Sequence, residues 1–157
     1  MENSKFQILN FQKNVAGFSI LEVTIITGIA ALLAVMGLGA VHSARNKALL
    51  DEGKGSIVHA LERSRSRAMS GVGSAKWGVL VKNDEITEFE GESYAAAISS
   101  VSQFLPSPVL TDQVATEIIF SRVSGKANSS TTISLFGPDN ASAKVSVTWG
   151  GAVLSGE

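Results

Sequence analysis

The feature that most constrains this chain is an uncharged apolar stretch that runs from Val23 to Val41 (VTIITGIAALLAVMGLGAV). A helix of about 20 predominantly apolar residues is long enough to cross the hydrocarbon core of a bilayer, so this stretch predicts a membrane span. It is longer than the apolar core of an ordinary secretory signal peptide, and the sequence that follows it offers only a weak signal-peptidase site. The stretch is therefore expected to stay in the protein as an anchor.

The residues before the span predict its orientation. The short leader from Met1 to Gly17 carries Lys5 and Lys13 against one acid, Glu2. Because basic flanks stay on the cytoplasmic side, the N-terminus is expected inside and the C-terminal part outside. The sequence thus predicts a single-pass protein of the inner (cytoplasmic) membrane whose C-terminal domain lies outside the cytoplasm.

Between the leader and the span lies a motif that resembles the processing site of prepilins, the precursors of type IV pilin-like proteins. The motif reads AGFSILEV and occupies residues 16–23. The resemblance implies that a prepilin peptidase cuts between Gly17 and Phe18 and that Phe18 becomes the N-methylated first residue. It also implies that Glu22 is the acidic residue that this family places fifth in the mature chain.

Glu22 has a physical interpretation that does not depend on the family. A carboxylate in a bilayer-spanning helix costs a few kcal/mol to bury, so it needs a partner. Cleavage after Gly17 would create an α-amine on Phe18, and the first turn of a helix also favours negative charge. We expect Glu22 to pair with the N-terminal amine of a neighbouring subunit and to set the assembly register. The alternative is a glutamate at the membrane interface of an ordinary signal anchor.

After the span, the pattern between His42 and Met69 predicts that the helix continues as an amphipathic segment. The glycine-rich residues 70–74 are expected to end it. The predicted organisation is a leader at 1–17, a hydrophobic transmembrane or filament-core helix at 18–44, an amphipathic helix at 45–70 and a β-rich head at 71–157. The residues expected on the buried face of the amphipathic segment are Leu50, Ile57, Leu61, Ala68 and Met69.

The head is expected to consist of strands separated by turns. Pro106 and Pro108 argue against regular structure between Ser93 and Gln113, where Phe104 and Leu105 are expected to reach the core. One long helix followed by strands is the pilin-like arrangement, so the predicted fold is α+β, with the helix packed on an antiparallel β-sheet. The predicted strands are 77–82, 86–90, 116–123, 131–136, 144–149 and 152–154, with the first two forming a hairpin.

Three segments after the predicted span resemble minor pseudopilins of the GspH/FimT type, namely residues 61–68 (LERSRSRA) on the amphipathic helix and 77–79 (WGV) and 120–125 (FSRVSG) in the head. The resemblance implies a structural subunit of a type IV pilus, a type II secretion system or a DNA-uptake filament. Its implied partners are prepilin peptidase, other pilin or pseudopilin subunits, and the inner membrane before assembly into an extracytoplasmic filament. The alternative is a signal-anchored envelope binding domain that never polymerises. Many major pilins of this family have a C-terminal cysteine pair, which this chain lacks.

Residues that usually carry catalysis or bind metals are sparse. The chain has no cysteine, its two histidines are far apart in sequence, and its serines lack a nucleophile-elbow pattern. We therefore expect no enzymatic activity, no cofactor and no metal site. Four carboxylates gather around the predicted hairpin without calcium-loop spacing, and a solvated turn explains them better than a metal site. They are Asp84, Glu85, Glu88 and Glu90.

One basic concentration raises the question of DNA binding. Phosphate contacts need clustered cations on an exposed face. Glu62 and the acidic hairpin lie close to these cations in sequence, so a solvated helix face or pairing with neighbouring subunits is the favoured interpretation. The cations are Arg63, Arg65, Arg67 and Lys76.

Overall fold

The computed structural model describes residues 17–73 and 75–156. Most of the predicted leader, residues 1–16, lies outside the described residues. One long helix, α1, runs from Ile20 to Ser70. The chain divides into two compact units, Met1–Gly39 and Ala40–Glu157. The first unit contributes the apolar part of α1, and the second contains the rest of α1 and all the strands.

Both ends of α1 follow from local sequence. Ser19 is the N-cap, because its carbonyl accepts the first helical hydrogen bond from Val23 N and its hydroxyl accepts one from Leu21 N at 3.3 Å. At the other end, Gly71 adopts φ +68° and Val72 N donates to Arg67 O at 3.2 Å. This is a Schellman motif, which requires a left-handed residue that glycine supplies without strain. The predicted end of the helix is confirmed.

The strands form two antiparallel sheets of four strands each, in the orders β3-β2-β1-β5 and β4-β6-β7-β8. The predicted α+β class is confirmed, but two sheets stand where a single sheet was expected. The hairpin β1–β2 is also confirmed, with Val81 opposite Ile86. The strands are β1 (Trp77–Val81), β2 (Glu85–Glu90), β3 (Ser99–Phe104), β4 (Leu110–Thr111), β5 (Thr116–Phe120), β6 (Thr131–Phe136), β7 (Ser142–Val147) and β8 (Val153–Gly156).

The region from Ser93 to Gln113 differs from its prediction. It contains the strands β3 and β4, and both prolines fall between them. Proline lacks a backbone N–H, but at these positions no hydrogen bond between strands is lost. Leu105 is buried as expected, whereas Phe104 is 71% exposed. Phe104 ends an edge strand and points its ring away from the core.

The core of the second unit lies between α1 and both sheets. Leu50, Ile57, Leu61 and Ala68 are buried as predicted, whereas Met69 is about half exposed. The four buried helix residues pack against strand residues of both sheets, in one continuous apolar cluster. The strand residues of that cluster are Val79, Val81, Ile86, Ile118, Phe120, Ile133, Leu135, Ala143, Val145 and Val147.

Candidate functional site

The predicted cleavage site precedes the first turn of α1. Gly17, Phe18 and Ser19 have no regular secondary structure, and all three are exposed. The Phe18 side chain is 73% exposed. The bond between Gly17 and Phe18 therefore lies outside the helical hydrogen-bond network, two residues before the first helical residue.

Glu22 occupies the third helical position after the N-cap Ser19. The spacing Ser19-x-x-Glu22 is that of a capping box, a sequence signal for the start of a helix at this position. The carboxylate is exposed and makes no hydrogen bond or ion pair with any residue in the described part of the chain. Its position in the first turn places it at the positive end of the helix dipole.

The remainder of this segment presents large apolar side chains to its surroundings. Clusters of exposed apolar side chains on this scale mark membrane or protein contacts, because water does not stabilise them. The segment is apolar around its whole circumference. The exposed side chains are Phe18, Ile20, Leu21, Val23, Ile25, Ile26, Ile29, Leu32, Leu33, Val35 and Met36.

The two threonines of the segment are already satisfied. Thr24 Oγ1 donates to Ile20 O at 2.8 Å, and Thr27 Oγ1 donates to Val23 O at 2.8 Å. Hydroxyls bonded back to their own helix can enter an apolar environment without losing a partner. Between Ile20 and Met36, Glu22 is therefore the one side chain whose polar group lacks a partner among the described residues.

This part of α1 meets the criteria for a membrane span. Its most apolar window of 18 residues has a mean hydropathy of 2.2, and none of the window is buried within the chain. A signal sequence near an N-terminus would have the same properties. The protein thus has one N-terminal helix long and apolar enough to cross a membrane as a signal or an anchor.

Two of the four cations in the predicted basic concentration share one carboxylate. Glu88 on β2 faces α1, where its Oε1 lies 2.9 Å from Arg63 Nη2 and its Oε2 lies 3.4 Å from Arg67 Nη1. The Ser64 hydroxyl donates to Oε2 at 3.5 Å. The Arg67 guanidinium also stacks 4.7 Å above the centre of the Trp77 ring. Glu88 is buried, so the expectation of a fully solvated hairpin was wrong for this residue.

The other two cations of the predicted concentration point elsewhere. Arg65 donates from Nη2 to Gly150 O at 3.5 Å, and Lys76 pairs with Glu92. Arg63 and Arg67 are four residues apart on one side of α1, whereas Arg65 lies between them in sequence and faces another side. Among the described residues, these four cations therefore form no common face for phosphates.

The turn of the hairpin holds a second ion pair. Lys82 Nζ lies 2.8 Å from Glu85 Oε2. The hydrogen bond from Lys82 is the main reason why the pKa of Glu85 is lowered, and the same bond raises the pKa of Lys82. Asp84 beside them is exposed. Within the described part of the chain, no three histidine or acidic side chains converge as a metal site would require.

No known family, characterised protein or solved structure matches this chain. Its architecture is nevertheless pilin-like, with a long N-terminal helix that is apolar in its first part and packed on antiparallel sheets in its second. This likeness concerns the fold and leaves the function to be argued from the N-terminal segment.

Proposed function

We propose that this chain is a filament subunit of the type IV pilin kind, cut between Gly17 and Phe18 and assembled through the apolar part of α1. The observation that carries the proposal is the chemistry of residues 20–36. Every large apolar side chain there is exposed, and Glu22 has the one side-chain polar group of the segment without a partner in the part of the chain that the structure describes. Such a helix needs an apolar medium and one cation.

Cleavage after Gly17 would supply that cation and leave the helix intact. The N-cap Ser19 lies after the bond, so the capping hydrogen bond to Leu21 N survives in the mature chain. The new α-amine would stand on Phe18, one residue before the cap. Because this end of the helix already carries partial positive charge, an added ammonium is stabilised by a nearby carboxylate. Glu22 of a neighbouring subunit meets that need and sets the axial register.

The partners and location follow from this route. The chain would enter the inner membrane with its N-terminus in the cytoplasm, meet prepilin peptidase there, and become N-methylated at Phe18. It would then leave the lipid for an extracytoplasmic filament of other pilin or pseudopilin subunits. We propose a structural rather than an enzymatic role, and we place the chain with minor pseudopilins of the GspH/FimT type. A type IV pilus, a type II secretion system and a DNA-uptake filament all accommodate this role.

Substitution of Glu22 tests the role of the carboxylate. Glu22→Gln keeps the shape and removes the charge, and Thr24→Val is a matched control because the Thr24 hydroxyl is satisfied within its own helix. In cells that express prepilin peptidase and partner subunits, we expect both variants to be cut normally. Glu22→Gln should reduce the amount in sheared filaments at least about tenfold, which corresponds to losing about 1.4 kcal/mol. Thr24→Val should incorporate like the unaltered chain.

The outcomes separate the two functions considered. Normal incorporation of Glu22→Gln would remove the registry role. An unaltered chain that stays in the membrane fraction with its leader attached would favour the alternative, a signal-anchored envelope binding domain.

A further inference from the structure

Exposed apolar side chains gather where α1 ends, a surface we call the distal surface. It comprises Met69, Val72, Val123 and Trp149, of which Val123 is 73% and Trp149 65% exposed. Three segments converge there. Val123 N donates to Ala68 O at 2.9 Å, which places the 121–126 loop on the last turn of α1. The 148–151 turn abuts that loop, because a methyl group on Gly151 would overlap Gly125 O.

Val123 is held in a strained conformation on this surface. Its φ is +68°, and Ser124 N donates to Arg122 O at 2.8 Å across it, which is the pattern of a γ-turn of the rare, strained kind. A β-branched residue is disfavoured there, and glycine would fit without strain. Since its side chain is mostly exposed, packing within the chain does not compensate. A contact with another molecule would explain why an apolar side chain is displayed at this position.

Cations without carboxylate partners surround the distal surface. Arg122 Nη2 donates to Gly71 O at 3.4 Å, and Arg65 Nη2 donates to Gly150 O at 3.5 Å. Lys126 is exposed. Among the described residues, no carboxylate lies within ion-pair distance of these three side chains, although Glu62 shares a surface hollow with Arg65. By contrast, Arg63, Arg67 and Lys76 are all ion-paired.

The opposite end of the second unit combines an apolar hollow with negative charge, which complements the apolar, positively charged distal surface. A cavity of about 270 Å³ opens there, with apolar walls that include Phe104, Pro108 and Leu110, and with Asp84 at its edge. Asp112 is also exposed. It lies near Asp84, because Thr111 N donates to Asn83 O and so joins the two neighbouring segments. We call this the proximal cavity. The one cation on the adjoining turn, Lys82, is already paired with Glu85.

Asp112 is held in its ionised form. Burial alone would raise its pKa, but hydrogen bonds from the Gln113 side chain and from Ser134 outweigh that effect and lower the pKa. The two donors lie 2.7 Å and 2.9 Å from Asp112 Oδ1. The proximal end therefore presents negative charge beside an apolar hollow at neutral pH.

We propose that the distal surface of one copy of this chain docks into the proximal cavity of a second copy. Val123 and Trp149 supply the apolar contact, and Arg122 and Lys126 face Asp84 and Asp112. The two surfaces lie at opposite ends of β1 and β5, so one molecule cannot satisfy both by itself. A contact between different surfaces of identical chains generates an open series rather than a closed pair. The proposal deepens the filament function, on which it rests for the supply of aligned copies, and it requires that copies of this chain lie next to one another among the other subunits.

Engineered disulfides test the contact directly, because the chain has no cysteine of its own. The full chain carrying Val123→Cys with Leu110→Cys, or Val123→Cys with Phe104→Cys, is oxidised mildly in membranes of cells that make prepilin peptidase. We expect a ladder of dimers, trimers and larger species on a non-reducing gel. Each single-cysteine variant should stop at the dimer. The matched control pairs Val123→Cys with Ser155→Cys, which is exposed on β8 opposite Val145 and lies outside both surfaces.

Charge reversal sharpens the result. In the Val123→Cys/Leu110→Cys background, Lys126→Glu should reduce the ladder about fivefold, and Asp84→Lys in addition should restore part of it. Two outcomes overturn the proposal: both cysteine pairs crosslink no further than the control pair, or the products have the mass of one copy plus a different protein. If the ladder fails while Phe18 is the mature N-terminus and the chain enters filaments, the proposed function stands and this contact falls. If the ladder forms on a chain that keeps its leader, the contact stands and the filament function falls.

Discussion

The two parts of α1 contain similar apolar side chains in opposite situations. Ile29, in the first unit, is 54% exposed, whereas Ile57, in the second, is completely buried. Burial of such a side chain stabilises a protein by about 1.5–3 kcal/mol, so residues 50–68 contribute to the fold and residues 20–36 do not. The stabilisation of the first part must come from lipid or from other chains. One helix thus contains a part that stabilises the head and a part that does not.

The largest expected difference between the two parts of α1 comes from truncating a buried side chain. Ile57 is fully buried between α1 and the sheets, so Ile57→Ala should lower the free energy of unfolding of the head by about 2–5 kcal/mol. Ile29→Ala, in the exposed part, should change it by less than about 0.5 kcal/mol. Urea unfolding of the full chain in detergent micelles, followed by tryptophan fluorescence, measures both. Equal effects would mean that the first part also contributes to the folded head.

A smaller effect distinguishes buried from exposed charge within the head. Glu88→Gln removes the charge that Arg63 and Arg67 share and should cost about 1–3 kcal/mol. Glu92→Gln removes the exposed partner of Lys76 and should cost no more than about 1 kcal/mol. The same urea titration compares them. A loss for Glu92→Gln as large as for Glu88→Gln would show that burial does not set the strength of these pairs.

The sequence predicted the elements that carry a strong local signal, such as a long apolar stretch, a helix-ending glycine or a tight turn between two apolar runs. The helix, its end at Gly71 and the hairpin β1–β2 are of this kind. Ile86 and Phe89 illustrate what a simple alternation misses. They are three residues apart and therefore lie on opposite faces of β2, with Ile86 in the core beneath α1 and Phe89 against Tyr94 at a ring separation of 5.9 Å. Glu88, two residues from Ile86, shares its face and is consequently buried.

The elements that the sequence did not predict lack such a signal. All six residues of β3 are exposed, and four of them are serine or glutamine, so neither periodicity nor β-propensity marks the strand. Its pairing with β2 depends on tertiary context. For the candidate site, the motif at residues 16–23 predicted Gly17, Phe18 and Glu22, but the proposed cleavage and assembly depend on other proteins, so the fold of this chain does not test them. The pairing of Arg63 and Arg67 with Glu88 could not be predicted from the sequence, because it is the packing of the sheet on α1 that brings Glu88 to these arginines.

Cleavage after Gly17 is tested by the intact mass of the native chain, supported by fragmentation of its N-terminal peptide. We expect a chain that begins at Phe18, lacks residues 1–17 and carries one added methyl group on its α-amine. Native material that still begins at Met1 would contradict it.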